Sequence, residues 1–130
     1  MARKPTILIV EEDSHLAEIY ARHFALHKYQ TKIVKNFAEA NKKISRALPD
    51  LVVVDIALEE SSGLKWLKVL RHEVTTSKIL IVVLTGVSDR ESIHEALESG
   101  ADKYFLKSQI TPHALAGQID QLFNKTPQLS

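Results

Sequence analysis

The stretch Leu51-Val52-Val53-Val54-Asp55 places a carboxylate directly after four consecutive apolar residues. A run that is apolar at every position predicts a central strand of a parallel sheet, because helices cover both faces of such a strand. Pro49 and Asp50 precede the run and end the helical pattern before it. The stretch therefore predicts a buried strand whose carboxyl end presents Asp55.

Short apolar runs alternate with helical patterns along the rest of the chain. The predicted strands are Thr6 to Val10, Thr31 to Val34, Leu51 to Val54, Ile79 to Leu84 and Lys103 to Leu106. Each is followed by a segment in which apolar residues recur at three- and four-residue spacing, as they do on one face of a helix. Repeated strand–helix units of this kind predict a parallel sheet. We expect an α/β fold, organised as a three-layer α/β/α sandwich.

Start and stop signals predict where the helices begin and end. The predicted caps are Asp13 or Ser14 for the first helix, a capping box of Asn36 and Glu39 for the second, a capping box of Ser88 and Glu91 for the fourth, and Thr111 with Pro112 for the fifth. The second helix is expected to end at Ala47. Gly100 suits the left-handed position that ends the fourth helix, whose inward stripe is predicted to be Ile93, Ala96 and Leu97.

Two other groups of residues favour ordinary structural roles. Trp66 and Val69 lie off the leucine stripe of the third helix, and partly exposed apolar side chains are a better interpretation for them than a partner contact. His23 and His27 have the i, i+4 spacing of metal ligands, but no third ligand is evident in the sequence. We therefore assign no metal to them.

The composition indicates one ordinary globular domain. The chain has 130 residues, and its 17 basic and 16 acidic residues give a formal charge of +1, so no broad basic face is expected to bind nucleic acid directly. It has no cysteine, and no apolar stretch is long enough to cross a membrane. We expect a cytoplasmic protein with no membrane segment, in which residues 1–124 form the domain and residues 125–130 form a C-terminal tail or a truncated linker.

Four of the predicted strands end on polar residues suited to one chemistry. The first runs into Glu11-Glu12-Asp13, the third into Asp55, the fourth into Thr85 and the fifth into Lys107. The carboxyl ends of parallel strands lie at one edge of a sheet, where open α/β folds place their ligand sites. Carboxylates there can hold a divalent cation while an ammonium and a hydroxyl bind the oxygens of a phosphoryl group.

Several motifs, taken together and in this order, resemble the receiver domains of response regulators in two-component signalling, the chemotaxis response regulator among them. The motifs are the acidic cluster Glu11-Glu12-Asp13, the lone Asp55, Gly63, Leu84-Thr85-Gly86, Gly100-Ala101-Asp102 and Tyr104-Phe105-Leu106-Lys107. The resemblance covers residues 6–123. It, and not the residue pattern, implies a flavodoxin-like, five-stranded parallel sheet of order 2-1-3-4-5 with five helices, an order for which that family is a known example.

The resemblance also implies a role for each residue of the site. Asp55 is the expected phosphoacceptor, with Lys107 and Thr85 binding the phosphoryl oxygens. Mg²⁺ is expected to bind Glu12, Asp55 and the backbone carbonyl of Ala57, with Glu11 acting through a water molecule. Thr85 and Tyr104 are the expected switch pair, the tyrosine ring lying outward at rest and turning inward when Thr85 moves toward the phosphate. The open alternatives are a solvated strand-end aspartate, plain loop acids, a surface lysine and an ordinary half-buried tyrosine.

The functional prediction is a phosphoacceptor domain that receives a phosphoryl group from a histidine kinase or phosphotransfer protein and presents a changed surface to an unknown downstream protein. It is not expected to be an enzyme beyond its own phosphorylation and slow dephosphorylation. One alternative is a phosphorylation-independent interaction module with the same fold. Another, a Mg²⁺-dependent phosphohydrolase, is disfavoured because Ala57 stands where such enzymes place an acid.

Three residues depart from the family pattern. Glu12 replaces the usual chief metal-binding aspartate, and its extra methylene shifts the carboxylate oxygens in a site where Mg²⁺ demands good geometry. Glu59 replaces a common proline. Ser108 replaces the proline that usually follows the lysine, so no cis peptide bond is expected there. These changes motivate the interaction-module alternative.

Overall fold

The computed structural model describes residues 3–58 and 62–124. The strands are β1 (Thr6–Val10), β2 (Gln30–Val34), β3 (Leu51–Val54), β4 (Leu80–Thr85) and β5 (Lys103–Leu106). The helices are α1 (Ser14–Leu26), α2 (Phe37–Arg46), α3 (Ser62–His72), α4 (Arg90–Glu98) and α5 (Pro112–Asn124). The predicted order of alternating strands and helices is therefore confirmed.

The sheet has the order β2-β1-β3-β4-β5, and every neighbouring pair is parallel. This order confirms the one that the resemblance implied. It places β2 and β5 at the edges, and β3 pairs with β1 on one side and β4 on the other. Since Asp55 follows β3, it lies in the middle of the carboxyl edge of the sheet.

Helices cover both faces of the sheet. Buried residues of α2, α3 and α4 form one core, and buried residues of α1 and α5 form the other. The central strand contributes to both, because Val52 and Val54 face the first core while Leu51 and Val53 face the second. All four residues are buried, as a fully apolar strand predicts.

Several predicted helix ends are confirmed. Asp13 caps α1 by accepting from the Leu16 amide, and the Thr111 hydroxyl accepts from the Ala114 amide at the start of α5. The Asn36 side chain accepts from the Glu39 amide, as predicted. The Glu39 carboxylate, however, accepts from the amide of Lys35, one residue before the cap.

The predicted capping of α4 is wrong. Asp89, and not Ser88, is the N-cap, and its carboxylate accepts from the Ser92 amide at 3.0 Å. The helix begins at Arg90, one residue later than a Ser88 cap requires, so the amide in reach of a capping side chain belongs to Ser92. Leu97 was also wrongly assigned to the core, since its side chain is 45% exposed.

The prediction for Trp66 is also wrong. Its side chain is buried, stacks on Phe37 with the ring centroids 5.0 Å apart, and donates from the indole nitrogen to the Asn41 side-chain oxygen at 2.8 Å. Helix α2 lies beside this part of α3. The sequence pattern of α3 alone does not show that another helix packs against Trp66. Val69 is exposed, as predicted.

Three elements have bounds that differ by one residue from the predicted ones. Strand β2 begins at Gln30 because that residue pairs with Thr6. Strand β4 runs from Leu80 to Thr85 because its register follows β3 and β5. Helix α2 ends one residue before Ala47, which has an extended backbone.

Gly100, by contrast, has φ +123°, and the Ala101 amide donates to the Ala96 carbonyl, which confirms the predicted left-handed end of α4. No helix in the described part of the chain is long and apolar enough to cross a bilayer.

Candidate phosphoacceptor site

Four side chains meet at the carboxyl edge of the sheet. Glu11 directly follows β1, Asp55 follows β3, Thr85 ends β4 and Lys107 follows β5. The parallel register of neighbouring strands places these ends side by side, although the residues are far apart in sequence. The predicted convergence of these residues is therefore present in the structure.

Asp55 lies at the centre of the group, and both of its carboxylate oxygens accept hydrogen bonds. Oδ1 accepts from the Thr85 hydroxyl at 2.6 Å and from the Ala57 amide at 2.9 Å. Oδ2 accepts from the Lys107 ammonium at 2.8 Å. The side chain is 13% exposed, so its orientation is set while a path to solvent remains.

Lys107 bridges two acids. Its Nζ lies 2.8 Å from Glu11 Oε1 and 2.8 Å from Asp55 Oδ2. Burial acts to lower the pKa of Lys107, but the hydrogen bonds and charges of Asp55 and Glu11 outweigh it, so the pKa lies above its ordinary value. The ammonium therefore stays protonated at neutral pH and can stabilise negative charge next to Asp55.

Glu11 is almost fully buried, with 4% of its surface exposed. Its second oxygen, Oε2, accepts from the Asp13 amide at 3.1 Å. This direct ion pair between Glu11 and Lys107 was not predicted, because the sequence suggested only a water-mediated metal contact for Glu11. The position of Glu11 in the sequence could have indicated that its side chain is buried. Glu11 comes directly after β1, and β1 is a buried strand.

Thr85 connects the site to the loop between β4 and α4. Its side chain is fully buried, and its hydroxyl oxygen lies 3.4 Å from the Val87 amide, which donates to it. The Tyr104 hydroxyl donates to the Val87 carbonyl at 2.6 Å. A continuous series of hydrogen bonds therefore leads from Asp55 through Thr85 and Val87 to Tyr104.

The Tyr104 ring is partly buried and packs against the core on the side of α2, α3 and α4. Burial raises the pKa of its hydroxyl, and the charges of Asp89 and Asp55 raise it further, so the group remains a neutral donor. The expected turning of the ring from an outward to an inward position stays a prediction.

Of the remaining predicted residues, those that the structure describes contribute backbone amides but no side chain to these hydrogen bonds. Glu12 is exposed, and Asp13 is occupied as the cap of α1. Ala57 contributes its amide to Asp55. Glu59 lies outside the described residues. No peptide bond within residues 3–58 and 62–124 is cis, including the bond from Lys107 to Ser108.

The donor set agrees in kind with Mg²⁺, which prefers oxygen ligands. Glu11 and Asp55 carry two negative charges and share the single positive charge of Lys107. The four converging side chains therefore have an excess of negative charge. Within the described residues, however, no three acidic or histidine side chains lie close enough together to form a preassembled metal site. Glu12 would have to turn toward Asp55 to complete one.

His23 and His27 have other partners. A ring nitrogen of His27 lies 2.6 Å from Asp120 Oδ2, and one of His23 lies 3.1 Å from the Ile19 carbonyl oxygen. These contacts serve α1 and its packing against α5.

The family model of the response regulator receiver domain matches residues 7–120. The chain belongs to the response regulator receiver domain family. This membership accounts for the order of the sheet, and the functional prediction of a receiver domain is confirmed with it.

Individual proteins show the same relationship. The phosphate regulon transcriptional regulatory protein PhoB of Klebsiella pneumoniae is 30% identical over 125 residues, which are 96% of this chain and 53% of PhoB. The chain thus spans about half the length of this curated relative. The signal receiver domain of a signal transduction histidine kinase from Syntrophus aciditrophicus is 28% identical with a TM-score of 0.83, and the match covers 97% of this chain and 95% of that one.

A two-component response regulator from Clostridium difficile has a TM-score of 0.87 and 24% identity, and the match covers 96% of this chain and all of that one, 100%. At this identity the likeness concerns the fold alone. Receiver domains of this family therefore occur both in response regulators and in proteins linked to histidine kinases.

Proposed function

We propose that Asp55 of this receiver domain accepts a phosphoryl group from a histidine kinase or a phosphotransfer protein. The observation that carries the proposal is the set of contacts to Asp55, in which one oxygen accepts from Thr85 and the other from Lys107. An aspartate held in this way can act as a nucleophile while cationic and hydroxyl groups bind the transferred oxygens.

In the transfer step an Asp55 oxygen bonds to phosphorus as the phosphorus–nitrogen bond of the donor phosphohistidine breaks. The electron pair of that bond returns to the imidazole, which takes up a proton, and Asp55 becomes an acyl phosphate. Lys107 stabilises the added negative charge, and Thr85 is placed to donate to a phosphoryl oxygen.

Glu12, Asp55 and the Ala57 carbonyl are the proposed ligands of Mg²⁺, with Glu11 in support. The ion, when bound, supplies positive charge that the four converging side chains lack. We propose no enzymatic turnover beyond slow hydrolysis of the acyl phosphate. A cytoplasmic location is part of the proposal, because histidine kinases and phosphotransfer proteins transfer their phosphoryl groups in the cytoplasm.

The experiment is incubation with Mg²⁺ and acetyl phosphate, followed by mass spectrometry of the intact chain. Wild-type protein should gain the mass of one phosphoryl group, and Asp55→Asn should gain none. Asp89→Asn is the matched control, because Asp89 lies at the same edge of the sheet and asparagine also caps helices well. Absence of the mass gain in wild type, or its presence in Asp55→Asn, would contradict the proposal.

The output of phosphorylation is proposed to pass through Thr85, Val87 and Tyr104. Phosphorylation would give the Thr85 hydroxyl a new acceptor and so change its bond to Asp55, and Val87 and Tyr104 are linked to that hydroxyl by the loop. Thr85→Ala should still be phosphorylated but should lose most of the change in Val87 and Tyr104 amide shifts that wild type displays in NMR spectra. Thr85→Ser keeps the hydroxyl and should retain the change. Equal responses from both variants would exclude this route.

A further inference from the structure

Three grooves meet around Leu48, in the loop between α2 and β3, at the edge of the sheet opposite Asp55. The largest is a cavity of about 560 Å³ between the C-terminal halves of α2 and α3. The other two, of about 160 and 240 Å³, lie beside the amino ends of the strands. Leu48 lines all three, and we call the surface that they form the Leu48 surface.

Large apolar side chains that are exposed are concentrated at the Leu48 surface. Leu48 is 53% exposed and Val69 is 56% exposed, and both line the largest groove. Val74, which is 92% exposed, lies between two residues that line the same groove. Buried Ile44 and Leu70 form its floor. Three of the five large apolar side chains that are exposed in the described residues are thus gathered here.

The same surface carries an excess of positive charge. The charged residues that line the three grooves are the bases Arg3, Lys32, Lys43, Arg46 and Lys78 and the acids Asp50 and Glu73. Arg3 and Asp50 pair with each other, at 2.7 and 2.8 Å, which leaves the bases Lys32, Lys43, Arg46 and Lys78 against the acid Glu73. The molecule is therefore polarised, with acids at the edge that holds Asp55 and bases around Leu48, although its net charge is only +1.

We propose that the Leu48 surface docks an amphipathic segment of a partner protein in which acidic residues flank two or three apolar anchors. The apolar side chains that line the grooves would contact the anchors, and the bases that line the grooves would attract the acids and set their orientation. This binding site goes beyond phosphoryl transfer, since it lies at the opposite edge of the sheet.

A peptide segment matches this surface better than the other classes of ligand. A nucleic acid backbone needs a continuous row of cations, whereas here the bases alternate with apolar side chains and two acids that line the same grooves. A membrane surface favours several protruding apolar side chains, whereas of the three exposed ones here only Val74 is almost fully exposed and the largest feature is a cavity. A second copy of the chain could offer the acidic helix α4, but Leu97 is the one large exposed apolar side chain in that helix. A partner with several anchors fills the grooves more completely.

The probe for the test is a fluorescein-labelled, helix-forming peptide with leucines at i, i+3 and i+4 spacing and glutamates elsewhere. Two control peptides carry lysine in place of glutamate or serine in place of leucine. Fluorescence anisotropy should show binding of the Leu/Glu peptide to wild-type protein and much weaker binding of either control.

Two matched pairs of variants locate the binding. Leu48→Ser should weaken binding about tenfold, the loss expected when one anchor contact is removed, whereas Leu26→Ser alters a leucine that is 77% exposed at the end of α1 and should have no effect. Arg46→Gln should weaken binding about threefold at low salt and less at high salt, whereas Arg90→Gln at the start of α4 should not. Asp55→Asn should bind like wild type.

Four results would overturn the proposal. The first is failure of the Leu/Glu peptide to bind, and the second is an equal effect of Leu48→Ser and Leu26→Ser. The third is binding of wild type to phosphatidylserine vesicles in place of the peptide, with the loss caused by Leu48→Ser. The fourth is a dimer in sedimentation equilibrium that Leu48→Ser converts to a monomer. None of these results depends on whether Asp55 is phosphorylated.

Discussion

Lys107 supplies the positive charge that allows two acids to share a buried site. Its ammonium lies 2.8 Å from each of the Glu11 and Asp55 carboxylates, whose side chains are only 6% and 13% exposed. Removing one member of a buried charge group leaves the others without compensation, and this usually costs more than the group contributed as a whole. The electrostatic balance of the site therefore depends on this one side chain.

Lys107→Met should lower the free energy of unfolding by about 2 kcal/mol at neutral pH, because it leaves two negative charges close together. The measurement is urea unfolding. Adding Glu11→Gln to this variant removes one of those charges and should restore about 1 kcal/mol. Lys65→Met, at an exposed position of α3, is the control and should change stability little. If Lys107→Met has the same free energy of unfolding as wild type, the two acids do not need this cation.

At the scale of the elements, α3 packs very closely on the turn that follows β3 and Asp55. A Cβ atom at Gly63, in the first turn of α3, would clash with the Ile56 carbonyl oxygen and lie 2.7 Å from the Ile56 Cα. Both are backbone atoms, so no side chain can move aside to make room. The absence of a side chain at Gly63 therefore sets the distance between α3 and the turn that carries Asp55.

Gly63→Ala should destabilise the protein by about 3 kcal/mol, since the helix or the turn must shift. Gly117→Ala is the matched control, because Gly117 lies within α5 and a Cβ there meets nothing within 4 Å. That substitution should stabilise the protein by about 0.7 kcal/mol, the helix-propensity difference between the two residues. Thermal unfolding of both variants gives the comparison, and similar melting temperatures would contradict the close packing described here.

For the whole molecule, the tyrosines and Lys107 together predict how stability depends on alkaline pH. Burial raises the pKa of Tyr29, and so does its hydrogen bond to Asp120 at 2.6 Å. The pKa values of Tyr20, Tyr104 and Lys107 are also raised. In each case the folded state binds the proton more tightly than the unfolded chain. The stabilisation is complete below the unfolded pKa and is lost as the pH rises through the folded pKa.

The free energy of unfolding should therefore fall once the pH exceeds about 10, where the unfolded tyrosines begin to ionise. Tyr29→Phe removes one of these groups and should make the fall shallower, by at most about 1.4 kcal/mol per pH unit. Urea unfolding at a series of pH values tests this. Parallel curves for wild type and Tyr29→Phe would mean that the proton of Tyr29 is not held more tightly in the folded state.

The sequence by itself determined the strands, the helices and the residues that gather at one edge. Periodicity is a local property, so an apolar run such as Leu51–Val54 identifies a buried strand, and parallel strands must bring Asp55, Thr85 and Lys107 to the same edge. Caps are also local, so the sequence predicted Thr111 correctly and included Asp13 as one of two choices for α1, although it placed the cap of α4 one residue too early. The order of the strands came from the family resemblance and not from the residue pattern.

Only the tertiary structure decided which side chains of different elements form ion pairs, hydrogen bonds or buried contacts with one another. The pairing of Lys107 with Glu11, the bond from Tyr104 to Val87 and the burial of Trp66 against α2 each join separate elements. The grooves around Leu48 are likewise formed by α2, α3 and the amino ends of the strands together. Such contacts depend on the distance and rotation between packed elements, and a periodic pattern within one element carries no information about either.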